Sequence, residues 1–208
     1  ARLDAAPPEY RGWEWRHFDS ARDQSLRSLD CAQQLPSALA YSPDGRWLAA
    51  GLERELWLYS EAGTAPMRKF TGGHRARIYG VAWHPGGELL ATSGADGDVI
   101  VWDVTRGKPL ATRRLGGVAL SVHFSRSGEF FIAGGDGGEI RIWSTCFALP
   151  LRTIVAGSAV RGLALSPDDR QIAAACADGI VRTWKLFART DPRVYVGHEL
   201  MVRCVAWS

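Results

Sequence analysis

A histidine, a threonine and an aspartate, the residue types of a nucleophilic triad, occur close together in the first half of the chain. They are His74, Thr92 and Asp96, and Trp102 follows them. In a hydrolase such a set would supply a base, a nucleophile and an orienting carboxylate. The aspartate and the tryptophan, however, recur along the chain at a fixed spacing, which favours a structural role over a catalytic one.

The recurring unit is an Asp-Gly pair followed, a few residues later, by tryptophan. It occurs at 96–102, 136–143 and 178–184, and the three tryptophans are 41 residues apart. A weaker copy at 53–59 ends in tyrosine. Self-similarity with a period of about 40 residues indicates a repeat architecture, in which each unit packs on its neighbours.

Each repeat contains four short apolar runs, and the second repeat shows them best, at 78–83, 89–92, 99–102 and 109–115. The runs are rich in Val, Ile and Trp and are bounded by Gly, Pro and Asp, which favours strands. Ser-Pro-Asp-Gly and Asp-Gly sequences between the runs favour tight turns. The sequence therefore predicts four-stranded antiparallel sheets that stack radially, so that each sheet covers a face of the next.

These motifs resemble those of the WD-repeat β-propeller family. The resemblance rests on Gly73-His74 before the first strand of a repeat, Ser-Pro-Asp-Gly after that strand, and Asp-Gly leading to Trp102-Asp103. It covers roughly residues 26–208. It implies an all-β propeller built of four-stranded antiparallel blades, with function residing in a binding surface rather than in the fold itself.

The family resemblance also implies a structural role for the four residues that opened this section. In the second repeat, His74, Thr92, Asp96 and Trp102 match a hydrogen-bonded tetrad that holds a blade together. A buried indole and a buried imidazole both need hydrogen-bond partners, which supports the same role independently. Where the third and fourth repeats should have Gly-His, they have 116–117 (Gly-Gly) and 156–158 (Ala-Gly-Ser), so only the second repeat is expected to form the full tetrad.

The repeats divide the chain into four blades with an extra strand at each end. The predicted repeats are 35–72, 76–116, 117–157 and 158–197, and a further repeat starts at 198–208. Residues 26–29 are predicted to form a fourth strand ahead of the first blade, and residues 201–208 a lone first strand. Such an arc, or fragment of a larger ring, would expose apolar faces at its ends. We therefore expect self-association or pairing with a second chain.

Residues 1–25 differ from the repeats and are predicted to form a partly helical connector. The run 3–15 is similar to the connector before the WD repeats of planctomycete-type bacterial serine/threonine protein kinases. That resemblance implies an alternative function, as the regulatory region of such a kinase, although the chain has no kinase catalytic motif. A composition with 22 Arg, 3 Lys and no Asn is typical of high-GC bacterial genes. A chain that begins with Ala is expected to be a fragment, in a cytoplasmic location or in a membrane-anchored parent.

Composition argues against several classes of function. The net charge of +3 and the scattered arginines do not predict nucleic-acid binding. No apolar run reaches the roughly 18 residues of a membrane helix. The four cysteines, Cys31, Cys146, Cys176 and Cys204, lack zinc-site spacing. No catalytic, cofactor or metal site is therefore expected, and a hydrolase-like propeller enzyme stands as a second alternative.

The family resemblance implies that partners bind on the face around the central channel, through an early residue of each first strand. The matching positions are Ser37, Tyr79, Leu120, Arg161 and Arg203, and the preceding loops add Arg75, Arg77 and Met201. Tyr and Arg are the residue types that dominate interaction hot spots. The expected function is a non-catalytic scaffold or sensory module that binds a protein or peptide with acidic or phosphorylated groups.

Overall fold

The computed structural model describes residues 28–146 and 150–207, and every helix or strand within those ranges is a β-strand. The sixteen strands form four separate four-stranded sheets, in each of which neighbours in sequence pair antiparallel. The all-β prediction of four-stranded antiparallel blades is therefore confirmed. The predicted connector at 1–25 lies outside the described residues.

The four blades follow one another along the chain, and each is a simple meander. Their strands, four to a blade, are β1 (Ala38–Tyr41), β2 (Trp47–Gly51), β3 (Leu56–Ser60) and β4 (Arg68–Phe70); β5 (Ile78–Trp83), β6 (Leu89–Gly94), β7 (Asp98–Asp103) and β8 (Lys108–Arg114); β9 (Ala119–Phe124), β10 (Phe130–Gly135), β11 (Glu139–Ser144) and β12 (Pro150–Val155); β13 (Val160–Leu165), β14 (Gln171–Cys176), β15 (Val181–Lys185) and β16 (Arg193–Tyr195).

The turn between the first two strands of a blade is fixed by its own side chains. In the first blade the Ser42 hydroxyl donates to the Asp44 carboxylate at 2.6 Å and accepts from the Trp47 amide at 2.9 Å. Gly45 supplies the positive φ of 72° that ends this turn. Asp169 adopts a φ of 57° at the corresponding place in the fourth blade. Its carboxylate accepts two backbone hydrogen bonds from the neighbouring blade, at Arg126 and Ser127, both at 2.9 Å.

The blades pack side by side through their apolar faces. The innermost strands β1, β5, β9 and β13 contact one another in that order, and a separate apolar cluster fills each of the three seams. In the second, third and fourth blades, the tryptophan near the end of the third strand faces the preceding blade, as Trp102 does between the first two. Trp83, on β5, adds a polar contact across the same seam, because its indole N–H donates to the Ala40 carbonyl at 2.9 Å.

The innermost strands approach closely only because small residues lie between them. A Cβ on Gly80 would be 2.5 Å from the Ser93 hydroxyl and 3.2 Å from the Val122 backbone nitrogen of the next blade. A Cβ on Gly162 would be 2.8 Å from the carbonyl of Arg203. Residues 201–207 therefore lie against β13 in the same way that β9 lies against β5.

The two extra strands predicted at the ends of the arc do not form in the described residues. Residues 28–30 and 201–207 have no regular secondary structure. Leu29 and Cys31 instead pack on the outer face of the first blade, where the Tyr59 hydroxyl donates to the Asp30 carbonyl at 2.7 Å. A strand needs a hydrogen-bonded ladder, and among the described residues neither segment has one.

The close packing at strand ends predicts different effects of substitution at two glycines that are two residues apart. A Cβ on Gly135 would lie 1.9 Å from the Val118 carbonyl oxygen, whereas a Cβ on Gly137 would meet nothing within 4 Å. We expect Gly135→Ala to lower the free energy of unfolding by about 1–3 kcal/mol, since overpacking must move backbone. Gly137→Ala is the matched control and should change it little. Equal stabilities of the two variants in urea denaturation would contradict this packing.

Candidate protein-interaction face

The four tetrad side chains of the second blade form one continuous chain of hydrogen bonds. His74 Nδ1 is 3.1 Å from both carboxylate oxygens of Asp96, and His74 Nε2 is 2.7 Å from Thr92 Oγ1. The Trp102 indole N–H donates to the same hydroxyl at 2.8 Å. The structure thus brings together the loop before β5, the strand β6, the β6–β7 turn and the strand β7.

This arrangement holds the blade and is closed to substrate. The side chain of His74 is 0% exposed and Thr92 is fully buried, so no substrate can reach the hydroxyl of a supposed triad. Burial alone would raise the pKa of Asp96. Hydrogen bonds from the Arg75 and Asp98 amides and the neighbouring His74 outweigh that effect, and the pKa of Asp96 falls below its ordinary value.

In the third and fourth blades, apolar residues occupy the space that His74 fills in the second. His74 lies against Gly94; Leu115 lies against Gly135 in the same way in the third blade. The amides of Leu115 and Ala156 donate to the carbonyls of Gly97 and Gly138, so Ala156 is the equivalent in the fourth blade. The Gly-Gly pair at 116–117 was therefore placed two residues too late, whereas the run 156–158 begins at the equivalent residue, Ala156. The shift was invisible in the sequence because only the packing fixes the alignment of these loops.

Arginines on the third strand replace the histidine as partners of acidic residues. In the fourth blade, Arg182 binds the Asp178 carboxylate at 2.7 and 3.1 Å and holds the pKa of that carboxyl below its usual range. In the third blade, Arg141 pairs with Glu139 at 2.8 Å and also donates to the Arg114 carbonyl of the second blade. Both arginines lie two residues before the blade's tryptophan. An Arg-x-Trp pattern was the signal in the sequence that could have identified them.

The turns and loops at this end of the blades form one continuous face. A Cβ on Gly97, in the β6–β7 turn, would be 2.6 Å from the Gly117 carbonyl in the loop before β9. Gly138 lies against Ser158 and Gly179 against His198 in the same manner. Each turn between a second and third strand therefore contacts the loop that leads into the next blade. We call this end of the molecule the loop face.

The predicted contact residues of three blades are each the extra residue of a β-bulge. Ile78 pairs with Gly94 and Gly80 with Ser93, so Tyr79 has no partner of its own. The same shift leaves Leu120 unpaired in β9 and Arg161 unpaired in β13. A bulge redirects a side chain out of the alternation of the strand. The residues that precede the three bulges are fully buried, whereas Tyr79 is 39% exposed and Arg161 is also exposed.

The arginines of the loop face differ in how far acidic side chains neutralise them. Arg77 pairs with Glu53 at 2.6 Å. Arg75 and Arg114 share one nearly buried carboxylate, that of Asp98, each at 3.2 Å. Two guanidinium groups on one carboxylate leave one net positive charge and several N–H groups directed to solvent.

The remaining predicted contact residues differ in how free they are to bind. Arg161 and Arg203 are exposed, and neither has an ion pair within the described residues. Met201 is 47% exposed beside Arg203. Ser37, by contrast, donates to the carbonyl of Ile78 and so belongs to the seam between the first two blades.

Neither a metal site nor a membrane span is found in the part of the chain that the structure describes. Over residues 28–146 and 150–207, no group of three or more His, Cys, Asp or Glu side chains is placed to hold a metal ion. No helix long and apolar enough to cross a membrane occurs in the same ranges.

Loss of the tetrad histidine should destabilise the second blade. His74→Ala would leave Thr92 and Asp96 short of a partner and would open a cavity, so we expect about 2–4 kcal/mol less stability. Melting temperature by circular dichroism measures the change. A large loss of ligand affinity without any loss of stability would show instead that His74 contacts a ligand.

The tetrad aspartate should also make the free energy of unfolding depend on pH in the acidic range. The folded pKa of Asp96 is lowered, so its contribution is complete above the unfolded value of about 4 and is lost as the pH falls through the lower folded value. Asp96→Asn should lower stability at pH 7 and flatten its decline as the pH falls below about 4. Asp191→Asn, at an exposed site, controls for the loss of one charge. If the stability of Asp96→Asn fell at low pH as steeply as that of the unsubstituted chain, the proposed role of Asp96 would be contradicted.

Several curated proteins are similar to part of this chain. Protein HIR1 of Candida albicans is 31% identical over 41% of the chain and 12% of its own length. Cell division cycle 20.1, cofactor of APC complex, of Arabidopsis thaliana is 33% identical over 41% of the chain and 18% of its own length. Target of rapamycin complex subunit wat1 of Schizosaccharomyces pombe is 32% identical over 43% of the chain and 29% of its own length. The matched part spans less than a third of each relative.

A family model described as WD domain, G-beta repeat, matches residues 65–103, 107–144 and 149–185, more than half of the chain. Each match ends at or next to the last residue of a third strand, so one sequence repeat combines the outer strand of one blade with the three inner strands of the next. This stagger links successive blades covalently. The family match, the four meander sheets and the tetrad agree, and the chain belongs to the WD40 repeat family.

Proposed function

We propose that this chain is a non-catalytic interaction module that binds a protein or peptide partner on the loop face. The observation that carries the proposal is the row of β-bulges, which turns Tyr79 and Arg161 outward while their strand neighbours stay buried. A bulge repeated at the same place in successive blades presents a row of side chains on rigid strands. Such a rigid arrangement lowers the entropic cost of binding.

The partner should carry acidic or phosphorylated groups. Arg161 and Arg203 are exposed without an ion pair in the described ranges, and the pair Arg75 and Arg114 has one uncompensated positive charge. Arginine binds carboxylate and phosphate through two parallel hydrogen bonds. Tyr79 adds an aromatic surface for the neighbouring part of a peptide.

The names of the relatives are compatible with this proposal. One relative is a cofactor of a complex and another a subunit of a complex, and both share the WD-repeat region with this chain. The regulatory-kinase alternative depends on residues 3–15, which lie outside the described residues. The buried position of Thr92 weighs against the hydrolase alternative.

A double substitution on the loop face tests the proposal. Tyr79→Ala with Arg161→Ala should weaken binding of acidic and phosphorylated peptides from a synthetic panel by about 30-fold or more, the effect of losing a hot spot. Fluorescence polarisation at low salt measures the affinity, and circular dichroism should show unchanged folding. Arg126→Ala, an exposed arginine in a turn at the opposite end of the blades, is the matched control. Full affinity in the double variant would refute the proposal.

A further inference from the structure

The position of the tetrad aspartate is occupied by a glycine in the third blade. Strand pairing places Arg141 of β11 where β7 has Ile100, 41 residues earlier. The same offset makes Gly137 the equivalent of Asp96. The Asp-Gly pair of this repeat begins at Asp136, one position earlier in the turn. The third blade therefore lacks the carboxylate that three groups of the second blade bind.

A cavity of about 250 Å³ occupies the place of the missing carboxylate, and we call it the Gly137 cavity. Six residues line it: Leu115, Gly116, Gly117, Gly137, Glu139 and Arg141. Three of them correspond, at the offset of 41, to the residues that bind Asp96, which are His74, Arg75 and Asp98. Gly116 and Gly137 are exposed, so the cavity opens to solvent on the loop face. A Cβ on Gly137 would meet nothing within 4 Å, so the space is free.

The fourth blade shows which group such a place binds. There Asp178 has the aspartate position, and Arg182 has the strand position of Arg141. The Arg182 guanidinium binds both carboxylate oxygens of Asp178, at 2.7 and 3.1 Å. The Ile180 amide donates to the same carboxylate at 3.2 Å. The second and fourth blades thus each hold a carboxylate between a basic side chain and the backbone amide two residues later.

In the third blade the arginine remains although the carboxylate is missing. Arg141 donates through Nε and Nη2 to Glu139 and through Nη1 to the Arg114 carbonyl. A guanidinium has five N–H groups, so these bonds leave two without an acceptor in the described part of the chain. The Glu139 amide is the equivalent of the Asp98 amide, which donates to Asp96 at 3.1 Å. Donors that suit a carboxylate therefore surround a space that contains none.

Neighbouring acidic groups weaken this site but do not close it. Glu139 pairs with Arg141, yet their side chains are 37% and 29% exposed, and an ion pair so open to water contributes little to stability. The Asp136 carboxylate lies against Gly117 and adds a negative charge nearby. The uncompensated positive charge that Arg114 shares in, on Asp98, offsets it. The directed N–H groups, rather than a net charge, therefore select the ligand.

We propose that the Gly137 cavity binds a carboxylate of the partner, an aspartate or glutamate side chain that takes the place of the missing tetrad aspartate. Arg141 and the Glu139 amide hold it, as Arg182 and the Ile180 amide hold Asp178. A carboxylate is favoured over phosphate because the two occupied blades both place a carboxylate here. This site rests on the proposed function, since it lies on the loop face, and it gives the acidic partner one defined anchoring point.

Acetate is the smallest probe of the site. Sodium acetate, exchanged for sodium chloride at constant ionic strength, should shift the amide NMR signals of Gly116, Gly137 and Glu139 until they saturate. Acetamide, which has the same size without the charge, should not. Arg141→Ile, which introduces the residue that β7 has at this place, should raise the dissociation constant of acetate at least tenfold. Glu139→Gln should lower it severalfold, because it frees Arg141.

Three outcomes of the titration would overturn the proposal. They are signals that do not saturate with acetate, equal affinity for acetate in Arg141→Ile and the unsubstituted chain, and saturation by inorganic phosphate without saturation by acetate. Circular dichroism should show that Arg141→Ile remains folded.

Substitution of Gly137 tests the same site without a ligand. Gly137→Asp supplies the carboxylate from the chain itself, so its melting temperature should exceed that of Gly137→Asn, the uncharged control, by about 2 °C or more. The difference should vanish when Arg141→Ile is added to both variants, and Gly137→Asp should no longer bind acetate. Equal melting temperatures of Gly137→Asp and Gly137→Asn would show that the cavity does not favour a carboxylate.

The acidic peptides that test the proposed function separate its failure from the failure of this site. Arg141→Ile should weaken their binding at least tenfold. If Tyr79→Ala with Arg161→Ala weakens peptide binding and Arg141→Ile does not, the proposed function stands and the carboxylate site is refuted. If acetate binds as expected and no acidic peptide does, the proposed function fails and the cavity takes a small carboxylate instead.

Discussion

Every sheet that the structure describes has two faces to cover, and at the three seams the neighbouring sheet covers them. The dependence arises from alternation: in a strand such as β7, Ile100 faces the first blade while Val99 and Val101 face the third. A meander of four short strands therefore cannot bury both faces by itself. The apolar clusters lie between blades rather than within them, so the seams are the core of the protein.

The blades fill their seams with different combinations of large and small residues at equivalent positions, rather than with one repeated motif. At the end of the second strand, the second blade has Gly94 beside the large His74. The fourth blade has Cys176 where the partner residue is only Ala156, and both belong to one buried cluster. Glycine beside histidine in the second blade and cysteine beside alanine in the fourth fill similar volumes, as close packing requires. Burial raises the pKa of the Cys176 thiol, which keeps it in the neutral form suited to that place.

Much of the fold followed from the sequence, because local signals and periodicity agree. The run predicted at 78–83 coincides with β5, and the Asp-Gly turns lie where positive φ is needed, as at Gly97 and Gly179. The ends of the arc were mispredicted for a different reason. Residues 201–207 have a strand-like sequence, but a strand exists only when a neighbour completes its hydrogen bonds, and sequence alone cannot report that neighbour. Two contacts across the seams were missed likewise. Arg68 and Arg152 each donate to two successive backbone carbonyls of the following blade, and only strand register places them there.

Only part of the loop face could be identified from the sequence. The family resemblance, carried over to equivalent positions of the repeats, selected Tyr79 and Arg161, and the structure gives both residues the same place at a β-bulge. The resemblance could not distinguish Arg77, which Glu53 neutralises, from Arg161, which has no acidic partner in the described residues. Ion pairing depends on turns that contact each other across blades, and those contacts are set by packing. An arginine that is already paired must lose that partner before it binds another. The unpaired arginines and the shared pair on Asp98 would therefore contribute most of the attraction for the anionic partner that we propose.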